Sequence, residues 1–374
     1  MRIGLVIYGS LKTLSGGYLY DRKLVEYLQA QGDEVEILSL PWRSYPRHLL
    51  DNLSSPWLDR LAQARLDVLL QDELNHPSLF RLNRSLRPRV AYPILSIVHH
   101  LRCQEQSTPP MRLLYRVVEW RYLASVDGFI FNSRATRRSV EGLLQGPREG
   151  VVAHPGGNRL GPALDEEAIR IRAQRRGPLR LVFIGNLIPR KGLGGLLTAL
   201  AALRDEPWEL AVVGSREVDP GYAAAMQRRI ATLGLEARVQ LVGPRSDAEL
   251  AHRLRESDLL AMPFAYEGFG IVYLEAAAYG LPALASSAGG AHEIVSHDET
   301  GYLLEPGDIP RLAGILRHLI ADRSTLLRLS LAARRRFAEF PTWEQTASRI
   351  RSFLSMVVPH ASQTQGHRIL VPPQ

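Results

Sequence analysis

The chain has 374 residues, 45% hydrophobic and 22% charged, enough for two or three domains that each bury a core. It contains no run of eighteen apolar residues, which argues against a membrane-spanning helix, and its single cysteine, Cys103, excludes an internal disulfide framework and a Cys-based zinc site. Lysine and arginine total 46 against 38 acids, and the net charge of +8 favours anionic partners: nucleic acid, acidic lipid headgroups or phosphorylated small molecules.

In chain order, "MRIGLVIYGS" reads as a first strand ending in Gly-Ser, too short for a signal-peptide core, so a cytoplasmic location is expected. A helical run "YLYDRKLVEYLQAQG" follows, then the strand "EVEILSL" and further strands at "LDVLLQ", "RVAYPILSIVHH", "VDGFIFNS" and "EGVVAHPG". The pattern restarts at "LRLVFIGN", followed by the helix "LGGLLTALAAL", the strand "WELAVVGS", a helix over "PGYAAAMQRRIATLGL" and the strand "RVQLVG". Next come "DAELAHRLRES" as helix, "DLLAMPF" as strand, a helix after Gly270 and the strand "LPALASS". Beyond residue 310 the chain reads as helical through "PTWEQTASRIRSFLSMVV", and the final sixteen residues have no helical period.

Alternation of this kind predicts an α/β protein with parallel sheets and crossover helices. The restart predicts two Rossmann-like, doubly wound domains facing a cleft, residues 1–170 and 171–340, joined through the polar stretch "LDEEAIRIRAQRRGP". A helix over 341–358 and a loosely ordered tail over 359–374 complete the expectation. Neither opening strand carries the G-x-G-x-x-G turn of dinucleotide binders, which argues against an oxidoreductase. The arginine clusters at 84–89, 170–180 and 334–336 lack interleaved aromatics, and no RNA-binding signature appears, so no nucleic-acid partner is expected.

The stretch "PFAYEGFGIVYLEAAAYGLPALASSAGG" carries the chemistry. A helix starting near Gly270 offers unpaired amides and a positive dipole end to a phosphate, and Gly268 and Gly270 permit close approach. Glu275, inside that helix, can accept two hydrogen bonds from a ribose diol, while Glu267, before it, can hold a sugar hydroxyl beyond the diphosphate. The plainer alternative makes Glu275 an ordinary helix residue and Glu267 an acid that offsets the dipole. "IPRKGLGGLL" adds Arg190 and Lys191 between a strand and a helix, suited to neutralising a diphosphate, and "SAGGAHEIV" adds a second glycine-rich turn. No Asp-x-Asp pair occurs, so no metal and no cofactor beyond the co-substrate is expected.

These segments, together with "FIGNLIPRKGLGGLL", "VQLVGPRSDAELAHRL" and "ETGYLLEPGD", resemble the retaining glycosyltransferases of GT-B fold, family-4 type. The resemblance is strong over residues 150–345 and looser before them, where "SGGYLYDRKLVEYLQAQGDEV" and "SIVHHL" are similar to that family's glycine and histidine loops. It implies hexosyl transfer from a nucleotide diphosphate sugar to an acceptor hydroxyl, without a metal. It also implies roles: Glu275 on the ribose, Glu267 on the donor sugar, backbone donors from Phe269, Gly270 and Ile271, and Lys191 on the diphosphate. His99 rather than His100 matches the histidine that touches the transferred sugar, and Gly16 and Gly17 match the loop near the phosphate and acceptor. One departure stands out, since Asn186 replaces the family's usual second diphosphate cation, a deficit Arg190 could cover. A non-catalytic nucleotide-sugar binding subunit and a sugar-nucleotide epimerase remain as alternatives. For the acceptor, residues 40–61 mix Trp and Leu with Arg, which suits either peripheral contact with an anionic membrane and a lipid-linked acceptor, or an ordinary helix covering the sheet.

Overall fold

The computed structural model describes residues 1–105, 107–263 and 265–358, so the tail expected at 359–374 lies outside the described residues. Two six-stranded, all-parallel sheets form the frame. The first contains β1 (Arg2–Tyr8), β2 (Glu34–Leu40), β3 (Val68–Asp72), β4 (Ile94–Val98), β5 (Gly128–Phe131) and β6 (Gly150–Val152) in the order β2-β1-β3-β4-β5-β6. The second contains β7 (Leu179–Ile184), β8 (Trp208–Val213), β9 (Val239–Gly243), β10 (Leu259–Met262), β11 (Ala283–Ser286) and β12 (Gly301–Leu304) in the order β12-β11-β10-β7-β8-β9. β3, β4 and β10 are buried along their whole length, as expected for parallel strands covered by helices on both faces.

Strand order reverses between β1 and β3 in one sheet and between β7 and β10 in the other. Such switch points open a crevice at the strands' carboxyl ends, where ligands of open α/β sheets bind. The segments after Tyr8, Asp72, Ile184 and Met262 therefore converge on one cleft.

The last helix, Trp343–Val357, lies on the first domain and contributes Trp343, Ile350, Phe353 and Leu354 to the core beside β1 and β3. Arg351 fixes it by donating to Asp33 at 2.6 Å. The chain thus crosses between domains twice, and the crossings are neighbours. Asn158 accepts from the Trp343 amide (2.9 Å) and donates to Glu344 (3.1 Å), while a Cβ on Gly156 would meet the Trp343 nitrogen at 2.2 Å.

The boundary expected at residue 170 moves. Residues 164–178 are not a linker: Asp165 caps a helix, Glu166–Ala173, that packs on the second domain. Leu164 donates to Ala278, and buried Arg172 donates to the carbonyls of Tyr279 (2.8 Å) and Gly280 (2.7 Å). The first crossing instead runs through 154–160. High charge made the segment read as solvated, but its inward stripe, Ile169 and Arg172, is buried.

Candidate functional site

At the β7/β10 switch point the loop after β7 turns through Pro189–Lys191 into Gly192, whose φ is +80°. A Cβ there would meet the Pro263 carbonyl at 2.2 Å, so only glycine lets the two loops touch. The contact brings Lys191 Nζ to Glu267 Oε2 at 3.0 Å, with the Arg190 guanidinium 3.9 Å from the same carboxylate. Burial pushes the Glu267 pKa up, but Lys191 and Arg190 outweigh it and hold the carboxyl below its ordinary value. Burial lowers the Lys191 pKa against the pull of Glu267. Arg190 also lies 3.5 Å from Glu105 of the first domain, which pairs with His100 at 2.9 Å. A ladder of alternating charge therefore spans the cleft.

Glu267–Gly270 threads between the two domains. A Cβ on Gly268 would strike the His99 carbonyl at 2.1 Å, and Ser133 donates to the Gly268 carbonyl at 2.9 Å. The Gly290 amide donates to the Glu267 carbonyl at 2.7 Å from the other side, which explains the glycine-rich turn after β11. Gly270, at φ +90°, starts the helix Ile271–Ala278. Ile271 comes within 3.6 Å of the Cβ position of Gly16, where the helix Gly16–Ala30 begins behind its cap Ser15. Two helix N-termini thus face each other across the cleft, an arrangement that favours an anion between them. Phe269 is 1% exposed, its ring 5.6 Å from that of His154, so its backbone alone can serve a ligand.

His99 packs on Gly17, whose missing side chain leaves room for the ring (3.0 Å). Its Nε2 lies 3.4 Å from Asp21, and Asp72 completes a cluster with them. Burial lowers the His99 pKa, but Asp21 and Asp72 outweigh it and raise it. Asn186 donates to the Leu14 carbonyl at 3.5 Å, so it bridges the two loops and brings no charge.

Glu275 is buried, and its carboxylate accepts from Arg159 Nε at 2.7 Å; Arg159 also pairs with Asp247. Burial raises the Glu275 pKa, with Arg159 pulling it down. The structure gathers Gly16, Gly17, His99, Arg190, Lys191, Glu267, Gly268, Gly270 and Ile271 around one corner. Glu275 stands outside that set of contacts, its carboxylate already engaged by Arg159.

Arg159 was missed by sequence reasoning. It lies in "GGNRLGP", a glycine-rich stretch between the two repeating patterns, which is the signal that could have marked a crossing. Asp21 was legible too, an acid at helical spacing with the buried Leu24 and Leu28. Glu293 had no local signal: it reaches across the cleft to accept from the amides of Arg134 (3.1 Å) and Ala135 (2.7 Å) and from His154 (2.8 Å). It thereby caps the helix Arg134–Leu144 of the other domain. Asp21, Asp72 and His99, and likewise Glu73, His76 and Glu119, bring metal-ligand atoms within 4.8 Å of one another. In the second group Glu119 is committed to the amides of Arg102 and Cys103. A polar groove lined by Arg180, Glu209, Arg238 and Glu256 opens at the opposite end of β7–β9, away from these groups.

Comparison with known proteins bears on the family resemblance and the fold. Residues 165–336 match the family Glycosyl transferases group 1. A D-inositol 3-phosphate glycosyltransferase of Jonesia denitrificans is 37% identical over 174 residues, 45% of this chain and 41% of that protein. The chain spans about half the length of the curated relatives it matches. Sucrose-phosphate synthase from Thermosynechococcus elongatus superimposes with a TM-score of 0.79 at 22% identity, covering 95% of this chain and 98% of that one. Anabaena HepE, solved in complex with UDP-glucose, gives a TM-score of 0.74 at 21% identity over 95% of this chain and 100% of its own. The architecture is therefore the two-domain GT-B fold.

Proposed function

We propose that this chain, whose residues 165–336 match the family Glycosyl transferases group 1, moves a hexosyl group from a nucleotide diphosphate sugar to an acceptor hydroxyl with retention of configuration. The observation that carries the reading is the corner where Lys191, Arg190 and two opposed helix N-termini meet Glu267. The barrier is cleavage of the bond between the anomeric carbon and the diphosphate oxygen, as negative charge grows on the leaving group. Fixed cations and amide dipoles, held in a cleft that excludes water, stabilise that charge. In this reading the protein's own cations meet the charge, with no metal assigned a part.

Glu267 exchanges its contact with Lys191 for a donor-sugar hydroxyl once the diphosphate engages the lysine. His99 approaches the same sugar, and Glu275 takes the ribose hydroxyls while Arg159 keeps its carboxylate in place. The acceptor oxygen attacks on the face the diphosphate leaves, and its proton passes to a phosphate oxygen. The products are the glycoside and a nucleoside diphosphate. A sugar or lipid-linked hydroxyl is the acceptor class.

The test is a panel of UDP-, GDP- and ADP-sugars scored by thermal shift, followed by chromatography of the released nucleoside diphosphate. One donor should raise the melting temperature and be consumed with acceptor, and Lys191→Ala should slow that consumption by about a hundredfold or more. Unchanged product formation by both Lys191→Ala and Glu267→Ala would refute the assignment.

A further inference from the structure

The helix Pro109–Leu123 turns an apolar stripe to solvent. Leu113 (64% exposed), Val117 (38%) and Trp120 (44%) recur at i, i+4 and i+7 on one side. Arg112, Arg116 and Arg121 are exposed beside them. The helix's one acid, Glu119, is buried and holds the amides of Arg102 and Cys103. The outward face therefore carries three positive charges and no negative one.

A second stretch adjoins it. Trp42, Leu50 and Leu53 are all more than half exposed, and the acid among them, Asp51, is buried against Arg43 and His48. The two stretches meet where Tyr45 and Tyr115 pack edge to face, ring centroids 4.7 Å apart, with the Arg102 guanidinium over both rings.

Large apolar side chains gathered this way mark an interaction surface. A second copy of the chain meeting this face in a two-fold dimer would set arginines against arginines. A nucleic acid would match the charge but leave Leu113 and Val117 in water. An anionic lipid surface satisfies both, with the stripe at the headgroup–acyl boundary and the guanidinium groups on phosphates. We propose that the helix Pro109–Leu123, together with the apolar stretch Trp42–Leu53, seats the first domain on an anionic bilayer. This rests on the reading above only for the choice of a lipid-linked acceptor. The seat adjoins the cleft: Glu119 grips the turn Arg102–Gln104 just after His99 and His100, and Gln104 accepts from Tyr266 of the other domain at 2.5 Å.

The full chain is sedimented with vesicles of phosphatidylcholine alone or with phosphatidylglycerol added, at low and high salt. Binding should need the anionic lipid and weaken with salt. Replacing Arg112 and Arg116 together by Gln should cut partitioning by roughly twenty-five- to thirtyfold, about fivefold for each arginine. Leu113→Ser with Trp120→Ser should remove binding while the melting temperature and donor turnover on a soluble acceptor stay unchanged. The proposal is overturned if the wild type ignores anionic vesicles, or if both double variants bind as it does. It is equally overturned if light scattering shows a dimer that Leu113→Ser with Trp120→Ser dissolves, since the face would then be a self-interface. Vesicle binding needs no donor, so its failure and a failure of the donor reading are separate results.

Discussion

Removing Arg159 should expose what holds the buried carboxylate of Glu275 in place. Arg159→Ala deletes the cation 2.7 Å from the carboxylate of Glu275, a side chain only 4% exposed. Stripping one partner from a buried pair costs about 3–5 kcal/mol, because a charge is left without compensation. Arg159 keeps some contact with water, at 16% side-chain exposure, which places the cost near the low end. At about 3 kcal/mol, a domain of this size should lose roughly 6–12 °C in melting temperature. The sign of the pH dependence follows from Glu275. Burial already raises its folded pKa, and without Arg159 that pKa climbs further. The folded state then holds a proton that the unfolded state releases, so stability falls as pH rises. The deficit of Arg159→Ala should therefore be larger at pH 8 than at pH 5. Glu275→Gln in the same chain should return most of the loss, since a neutral amide needs no cation. Differential scanning fluorimetry of the two single variants and the double variant across this pH range decides the matter. A loss of under about 2 °C at pH 8, or an equal loss when Arg159→Ala is made in the Glu275→Gln background, would refute the reasoning.

Other expectations follow from the same geometry. Lys191→Ala should lower kcat by about a hundredfold to a thousandfold, with a smaller change in KM, in steady-state assays of nucleoside diphosphate release. Gly268→Ala keeps an allowed backbone but drives a methyl into the His99 carbonyl, so it should hold the cleft open. Small-angle scattering should then show a wider particle, with turnover lost and the melting temperature kept. Glu293→Ala removes three hydrogen bonds to a charged acceptor and should destabilise by about 2 kcal/mol, read as a melting shift that salt does not reproduce. For Asp33, burial raises the carboxyl pKa but Arg351 and the N-terminal ammonium together outweigh it and the net shift is downward. Its stabilising effect is complete above the unfolded carboxyl pKa and fades as pH falls through the folded one. Asp33→Asn should thus weaken the protein at pH 7 and match the wild type at strongly acidic pH in melting curves.

The parts of this molecule legible in the sequence were those written in local pattern. Runs such as "RIGLVIY" and "LRLVFI" lie in sheets covered on both faces, so apart from one arginine each they are apolar, and each is followed by glycine. Lys191 and Glu267 lie in the loops after strands β7 and β10, and a motif search finds such positions. β12 spans four residues, "GYLL", which carry too little period to stand out as a strand. The helix Pro109–Leu123 went unread because its apolar residues point both ways, inward at Val118, Tyr122 and Leu123 and outward at Leu113 and Val117. That blurs the single stripe on which recognition depends. Arg159 and Glu293 act on partners more than a hundred residues away, at Glu275 and Ala135. No spacing rule reaches that far. The linker was misjudged for a related reason, since its arginines were counted as solvated while Arg172 serves as a buried cap for the carbonyls at Tyr279 and Gly280.

The paired crossings set how the halves can move. Asn158 ties the outgoing strand of chain to the returning one at Trp343 and Glu344, beside a glycine that admits no side chain. Two threads fastened side by side resist twisting and sliding, because either would shear those bonds. Bending about the line through them is left as the low-cost freedom. On the proposed reading, a donor held at Lys191 and an acceptor beside His99 would then meet through one reproducible swing, with the same alignment at each turnover.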